Sequence, residues 1–177
     1  MHPEVKCVLI LDEEGSRVST KYYARDEFPD YRSQLEFERK LFKKAKASNS
    51  RNEADLVLME ENVAVFRGVG DIHMFVVGSD KENELILMAV LEALYESLSV
   101  LLRGQVDRRT MLENLALVLL TVDELVDAGK ILEIDPSAIA NRVLMRGAEG
   151  GQGPASELTI QQAILVAREE FIKRMGT

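Results

Sequence analysis

The sequence predicts an α+β domain, a five-stranded and mostly antiparallel sheet with helices on its faces. Three observations carry this. Short β-branched runs separated by turn residues come in two groups, first two and then three. One amphipathic helical pattern divides the groups, and further helical patterns follow the second. The stretch from Glu82 to Arg103, ENELILMAVLEALYESLSVLLR, is apolar around most of its girth, as a helix buried on several sides must be.

Val5 to Leu11 is an apolar run and Arg17 to Tyr23 a more polar one. DEEGS between them is a turn, with Gly15 free to take positive φ, so the two read as a hairpin. Pro29-Asp30 announces a helix with Asp30 as N-cap. Tyr31, Leu35, Phe37, Leu41, Phe42 and Ala45 share one side of it, and the helix ends near Ser48. Three strands follow, Ala54 to Met59, Val63 to Arg67 and Ile72 to Val77. Glu60-Glu61-Asn62 and Gly68-Val69-Gly70 supply the turns.

Ser79 with Glu82 three residues on forms a capping box, which opens the long helix; Gly104 ends it. Glu92, Glu96, Ser99 and Arg103 form its narrow polar stripe. Its partner, beyond the sheet, is either another helix of this chain or another protein. Asp107 caps a further helix running to about Asp127, with Leu112, Leu115, Leu119, Val122 and Val126 on one face and Gly129 as a stop. Asp135-Pro136 opens a short helix to about Arg146. The domain therefore spans residues 1–146. Residues 147–156, GAEGGQGPAS, read as a flexible linker, and 157–177 as a C-terminal amphipathic helix. That helix is expected to dock on a partner rather than fold back.

Composition narrows the function. Net charge is −8 over 177 residues, which argues against general nucleic-acid binding. A lone cysteine cannot form an internal disulfide, so a reducing, cytoplasmic compartment is expected. No secretory leader opens the sequence, and no apolar run approaches a membrane span. Cys7 lies within an apolar strand and reads as a core residue. His2 and His73 stand far apart without further ligands, so no metal or cofactor is expected; His73 reads as a strand residue with an ordinary hydrogen bond. The glycines from Gly147 lack the Lys-Ser/Thr ending of a phosphate loop. Nothing points to an enzyme.

Two features point to binding. Arg39, Lys40, Lys43, Lys44 and Lys46, with Arg51 beyond, gather positive charge on one helix face, suited to anionic headgroups or an acidic partner. Leu117 and Leu120 lie in a stripe with Glu113, Glu124 and Asp127, which suggests a contact surface. Leu117, Leu120, Glu124, Tyr95 and Leu98 are thus the candidate partner-interface residues.

Three phrases, VLILDEEGSRVSTKYY, VVGSDKENELILMAVLEALYESLSVLLR and LENLALVLLTVDELVDAGKILEIDPSAI, resemble the zeta-subunit family of coatomer, the COPI coat. The resemblance runs from about Val5 to Arg146. It implies kinship with the sigma subunits of clathrin adaptors and a longin-like fold with helices on both sheet faces. It implies a structural role: a stable pair with the trunk of the gamma coatomer subunit, contact with other coatomer subunits, and indirect recruitment by an Arf-type GTPase. Peripheral residence on Golgi membranes and retrograde vesicle transport would follow. Sigma subunits also hold acidic dileucine signals. Aligned on Gly15, Lys21 and the long helix, Val18 falls where sigma has an arginine, with Arg17 adjacent. Gln105, Arg108 and Thr110 fall where sigma has apolar pocket residues. A leucine in a polar pocket forfeits most of the roughly 1.5–3 kcal/mol its burial contributes, so dileucine binding is not carried over. The rival reading is a longin-type regulator that binds a small GTPase or an anionic membrane directly.

Overall fold

The computed structural model describes residues 4–48 and 53–149. Its sheet has the order β2-β1-β5-β4-β3, antiparallel throughout. The strands are β1 (Val5–Asp12), β2 (Arg17–Tyr22), β3 (Ala54–Met59), β4 (Asn62–Val69) and β5 (Ile72–Ser79). Strands β1 and β5 occupy the middle and are apolar on both sides, because each face is covered.

Helix α1 (Tyr31–Ala47) closes one face. Leu41 and Ala45 meet Cys7, Leu9, Leu11, Phe66 and Phe75 there. Asp30 caps it as expected, and Ser33 completes a reciprocal capping box. Helix α2 (Glu84–Leu101) closes the other face, over Val8, Ile10, Val65, Met74 and Val76. A register shift between Val5 and Cys7 lets Val5 join this second core although Cys7, two residues on, faces the first.

Two shorter helices, α3 (Arg108–Glu113) and α4 (Leu115–Leu125), and a last one, α5 (Pro136–Glu149), follow. Helices α4 and α5 lie against the side of α2 away from the sheet. The second neighbour of the long apolar helix is therefore this chain itself. Between α4 and α5 a small hairpin, β6 (Val126–Asp127) with β7 (Lys130–Ile131), reaches back to the start of β1: Val5 N–H donates to the Gly129 carbonyl at 2.7 Å.

Several expectations are corrected. The β4–β5 turn is Gly70-Asp71, because Gly68 and Val69 continue the ladder opposite His73 and Ile72. Ser79 extends β5 opposite Asn62, so α2 is capped by Asn83, four residues after the predicted Ser79. The helix predicted from Asp107 to Asp127 breaks at Asn114, which has left helical geometry (φ −120°, ψ 35°) and donates its side-chain amide to the Thr110 carbonyl. Within α3 and α4 the inward side differs from the predicted one by a residue, with only Val122 common to both. Met111, Val118, Val122 and Leu125 are buried, whereas Leu112 and Leu119 are exposed. Gly129 sits in a hairpin turn rather than ending a helix, with φ 80° after Ala128 at φ 47°. Helix α5 runs through Gly147 to Glu149, so the linker does not begin at 147; the rest of the linker and the C-terminal helix lie outside the described residues. Among the described residues no helix is long and apolar enough to cross a membrane.

Candidate functional site

The hairpin and α1 meet in a polar cluster. Arg17 at the start of β2 forks onto Glu38 of α1, Nε to Oε2 at 3.0 Å and Nη2 to Oε1 at 2.7 Å. Tyr22 donates its hydroxyl to the same Oε1 at 2.6 Å. Glu38 is only 2% exposed, so the fork neutralises a carboxylate that could not otherwise be buried there. Burial, with Cys7 and Glu38 beside it, holds the Tyr22 phenol far above its ordinary range. Arg17 also lies 4.7 Å from the Tyr31 ring centroid. Its guanidinium is thus committed within the chain. Val18, at the position aligned with the sigma arginine, is buried in the core.

A second cluster gathers at the β1–β2 turn. Asp12 Oδ1 accepts from the Glu14 and Ser16 N–H groups, both at 2.9 Å. Its Oδ2 accepts from Arg108 Nε at 3.1 Å. The Arg108 backbone N–H donates to Asp71 in the β4–β5 turn. Thr110 bonds the N-cap Asp107 through both its N–H and its hydroxyl, and Gln105 is exposed. Where sigma would offer apolar pocket residues, this chain has a guanidinium held by Asp12, a capping threonine and an exposed amide.

Of the predicted basic surface, Arg39, Lys40, Lys43, Lys44 and Lys46 are all exposed on α1. They are not equally available. Lys40 pairs with Glu36 at 3.0 Å, Lys44 donates to the Leu58 carbonyl at 2.9 Å, and Lys46 lies 5.1 Å from the Phe42 ring centroid. Arg51 lies outside the described residues.

The candidate interface residues divide. Leu98 is fully buried in the core beneath α2 and offers no surface. Glu124 is 4% exposed, with Arg146 Nη1 2.8 Å from Oε1 and Arg142 Nη1 3.7 Å from Oε2. It is the ionic tie between α4 and α5 rather than part of an open acidic stripe. The signal in the sequence was Arg142 and Arg146, four apart on the next helix and so on one face. Leu117 and Leu120 are half-buried; α5 passes over Leu117, whose Cδ2 lies 4.0 Å from where a side chain at Gly147 would begin. Tyr95 is half-buried under the Arg67 guanidinium, 3.9 Å from its ring centroid, while Arg67 Nη1 donates to Glu92 at 2.7 Å.

Of the residues that chemistry would require, Cys7 is fully buried. Desolvation, reinforced by Glu38, pushes its thiol well above the ordinary value. His73 sits in β5 with its ring 5.2 Å from that of Phe42, edge to face. Its Nδ1 is buried without a hydrogen-bond partner, contrary to the ordinary hydrogen bond expected. Among the described residues no group of three or more His, Cys, Asp or Glu could hold a metal.

Comparison with known proteins agrees with this geometry. The profile of the clathrin adaptor complex small chain matches residues 4–149. The sequence is 42% identical to coatomer subunit zeta-2 of Arabidopsis thaliana over 175 residues, 99% of this chain and 97% of that protein. It is 43% identical to coatomer subunit zeta-1 of Oryza sativa subsp. japonica, covering 98% and 97%. It is 41% identical to coatomer subunit zeta-1 of Homo sapiens, covering 94% and 90%. A chain in a homology model of the full-length AP-3 complex in a stretched open conformation shares the fold, with a TM-score of 0.65 at 17% identity over 82% of this chain and 96% of that one.

Proposed function

Because the chain belongs to the coatomer zeta subunits of the clathrin adaptor small-chain family, we propose that it pairs permanently with the trunk of the gamma coatomer subunit. It is a non-enzymatic zeta-like subunit of an adaptor coat complex. In this reading it works in the cytoplasm and on Golgi membranes, in COPI vesicle transport back to the endoplasmic reticulum and within the Golgi. An Arf-type GTPase recruits it only through the assembled complex.

The observation that carries the reading is 42% identity over 99% of the chain to a coatomer zeta subunit. The committed state of Arg17 and the polar surroundings of Arg108 support scaffolding over capture of a dileucine signal. Co-expression with the gamma trunk, followed by size-exclusion chromatography, tests it. An equimolar complex is expected; separate elution of two folded proteins would reject it.

The exposed row on α1 favours one second reading, direct contact with anionic membrane. Arg39 and Lys43 are the side chains to change, because Lys44 also holds β3. Flotation with phosphatidylserine liposomes that is lost on Arg39→Glu/Lys43→Glu would support it. No flotation of the unaltered chain would remove it.

A further inference from the structure

We propose that the outer flank formed by β3 and the first turns of α2 is a docking surface for an amphipathic helix with basic flanks, contributed by the large coat subunit; this rests on the pairing proposed above. The flank is apolar where a finished surface should not be. Leu58 is 62% exposed and Leu85 77%, and Leu56 is exposed beside them on β3. The topology brings them together. Leu58 pairs with Val63, Val63 with Gly78, and Leu87 of α2 lies over Gly78. Leu85 precedes Glu92 by seven residues, so both share one side of α2. That side is the β3 side, since Glu92 binds Arg67 and Arg67 pairs with Ala54 of β3.

The occupant follows from what surrounds the leucines. β3 is an edge strand, which ordinarily invites another strand. Here Asp55 Oδ1 accepts from the Leu56 N–H at 2.8 Å, and Lys44 donates to the Leu58 carbonyl at 2.9 Å. With one N–H and one carbonyl of the edge already bonded, continuous strand pairing along β3 is interrupted, and the exposed leucine side chains are what it offers a helix. The rim is acidic. The Asp80 N–H donates to the Glu61 carbonyl, which joins the β3–β4 turn (Glu60, Glu61) to the approach to α2 (Asp80, Glu82, Glu84), with Lys81 among them. An acidic rim repels anionic lipid. A second copy seated on the same patch would set one rim against the other. A helix carrying Lys or Arg beside its apolar stripe satisfies both features.

The test uses the full chain co-expressed with the gamma trunk. Leu58→Asp/Leu85→Asp should weaken association at least tenfold while leaving thermal unfolding of the isolated chain unchanged, since both side chains are exposed. Leu119→Asp, at an exposed position of α4, should not. A photo-crosslinking residue at position 58 should capture a helix of the large subunit. If the unaltered chains associate but the double variant binds equally well, the site is overturned and the pairing stands. If the unaltered chains do not associate, both fall. Capture of a second copy, of lipid, or of residues 150–177 of the same chain would also overturn the site.

Discussion

Asp12 and Arg108 stand 96 positions apart in the sequence, yet one carboxylate oxygen of Asp12 shapes the first hairpin turn while the other holds the Arg108 guanidinium at 3.1 Å. The first turn of the sheet is thereby fastened to the helix that follows α2. The carboxylate is nearly buried and the guanidinium half exposed, so the two partners should not matter equally. Asp12→Ala loses the turn bonds and the ion pair and is expected to cost about 2–3 kcal/mol, against less than about 1 kcal/mol for Arg108→Ala. Urea unfolding of both variants checks the ordering; equal losses would sink it.

Glu38 makes a sharper case. Arg17→Ala leaves a carboxylate 2% exposed without its cation and is expected to cost about 3–5 kcal/mol. Removing both charges, as Arg17→Ala/Glu38→Leu, should cost clearly less than Arg17→Ala alone. A double-mutant cycle by chemical denaturation measures this. Simple additivity would mean that the fork contributes little.

Gly129 combines φ 80° with a close approach, since a Cβ there would stand 3.0 Å from the Val5 carbonyl oxygen. Backbone cannot retreat as a side-chain tip can. Gly129→Ala should lower stability by more than about 1 kcal/mol and loosen the start of β1, which hydrogen exchange at Val5 would register. Unchanged exchange would contradict the strap between β6–β7 and β1.

His73 gives the fold a pH dependence. Its imidazole is held below its ordinary value, first by burial and then by Lys46, with Asp12 and Glu13 opposing. The unfolded chain therefore binds the proton more readily. Stability from this residue is complete above about pH 6.5 and falls as pH drops through the unfolded value, by at most about 1.4 kcal/mol per pH unit. Thermal unfolding at pH 7.5 and 5.5 should show a larger drop for the unaltered chain than for His73→Phe. Equal drops would exclude His73 as the source.

What the sequence revealed, and what it did not, follows the range of the forces involved. Asp30, Asp107 and Asp135 were legible as helix starts because an N-cap bonds its own neighbours: Ser33, Thr110 and Ala138 N–H groups each donate to the expected aspartate. Ser79 had the same local credentials, but pairing with Asn62 kept it in the sheet. The break at Asn114 was hidden inside an apolar run, and the same run, apolar at nearly every position, left the inward side of α4 open, so Leu119 read as core and proved exposed. Glu124 read as surface because its arginines come from another helix. The flank at Leu58 was illegible for a related reason. A strand apolar on both sides looks fully covered, and only the third dimension shows that α2 lies over β4 and β5 and stops short of β3.

The side-chain capping of β3 bears also on the time between synthesis and assembly. A subunit that has not yet met its partner carries an apolar edge, ADLVLM, of the kind on which further copies stack into fibrils. Asp55 and Lys44 occupy backbone groups that such stacking would need, while the leucines stay free. Two bonding positions of the edge are thereby lost to such stacking in the orphan subunit, while its sticky side chains stay on offer.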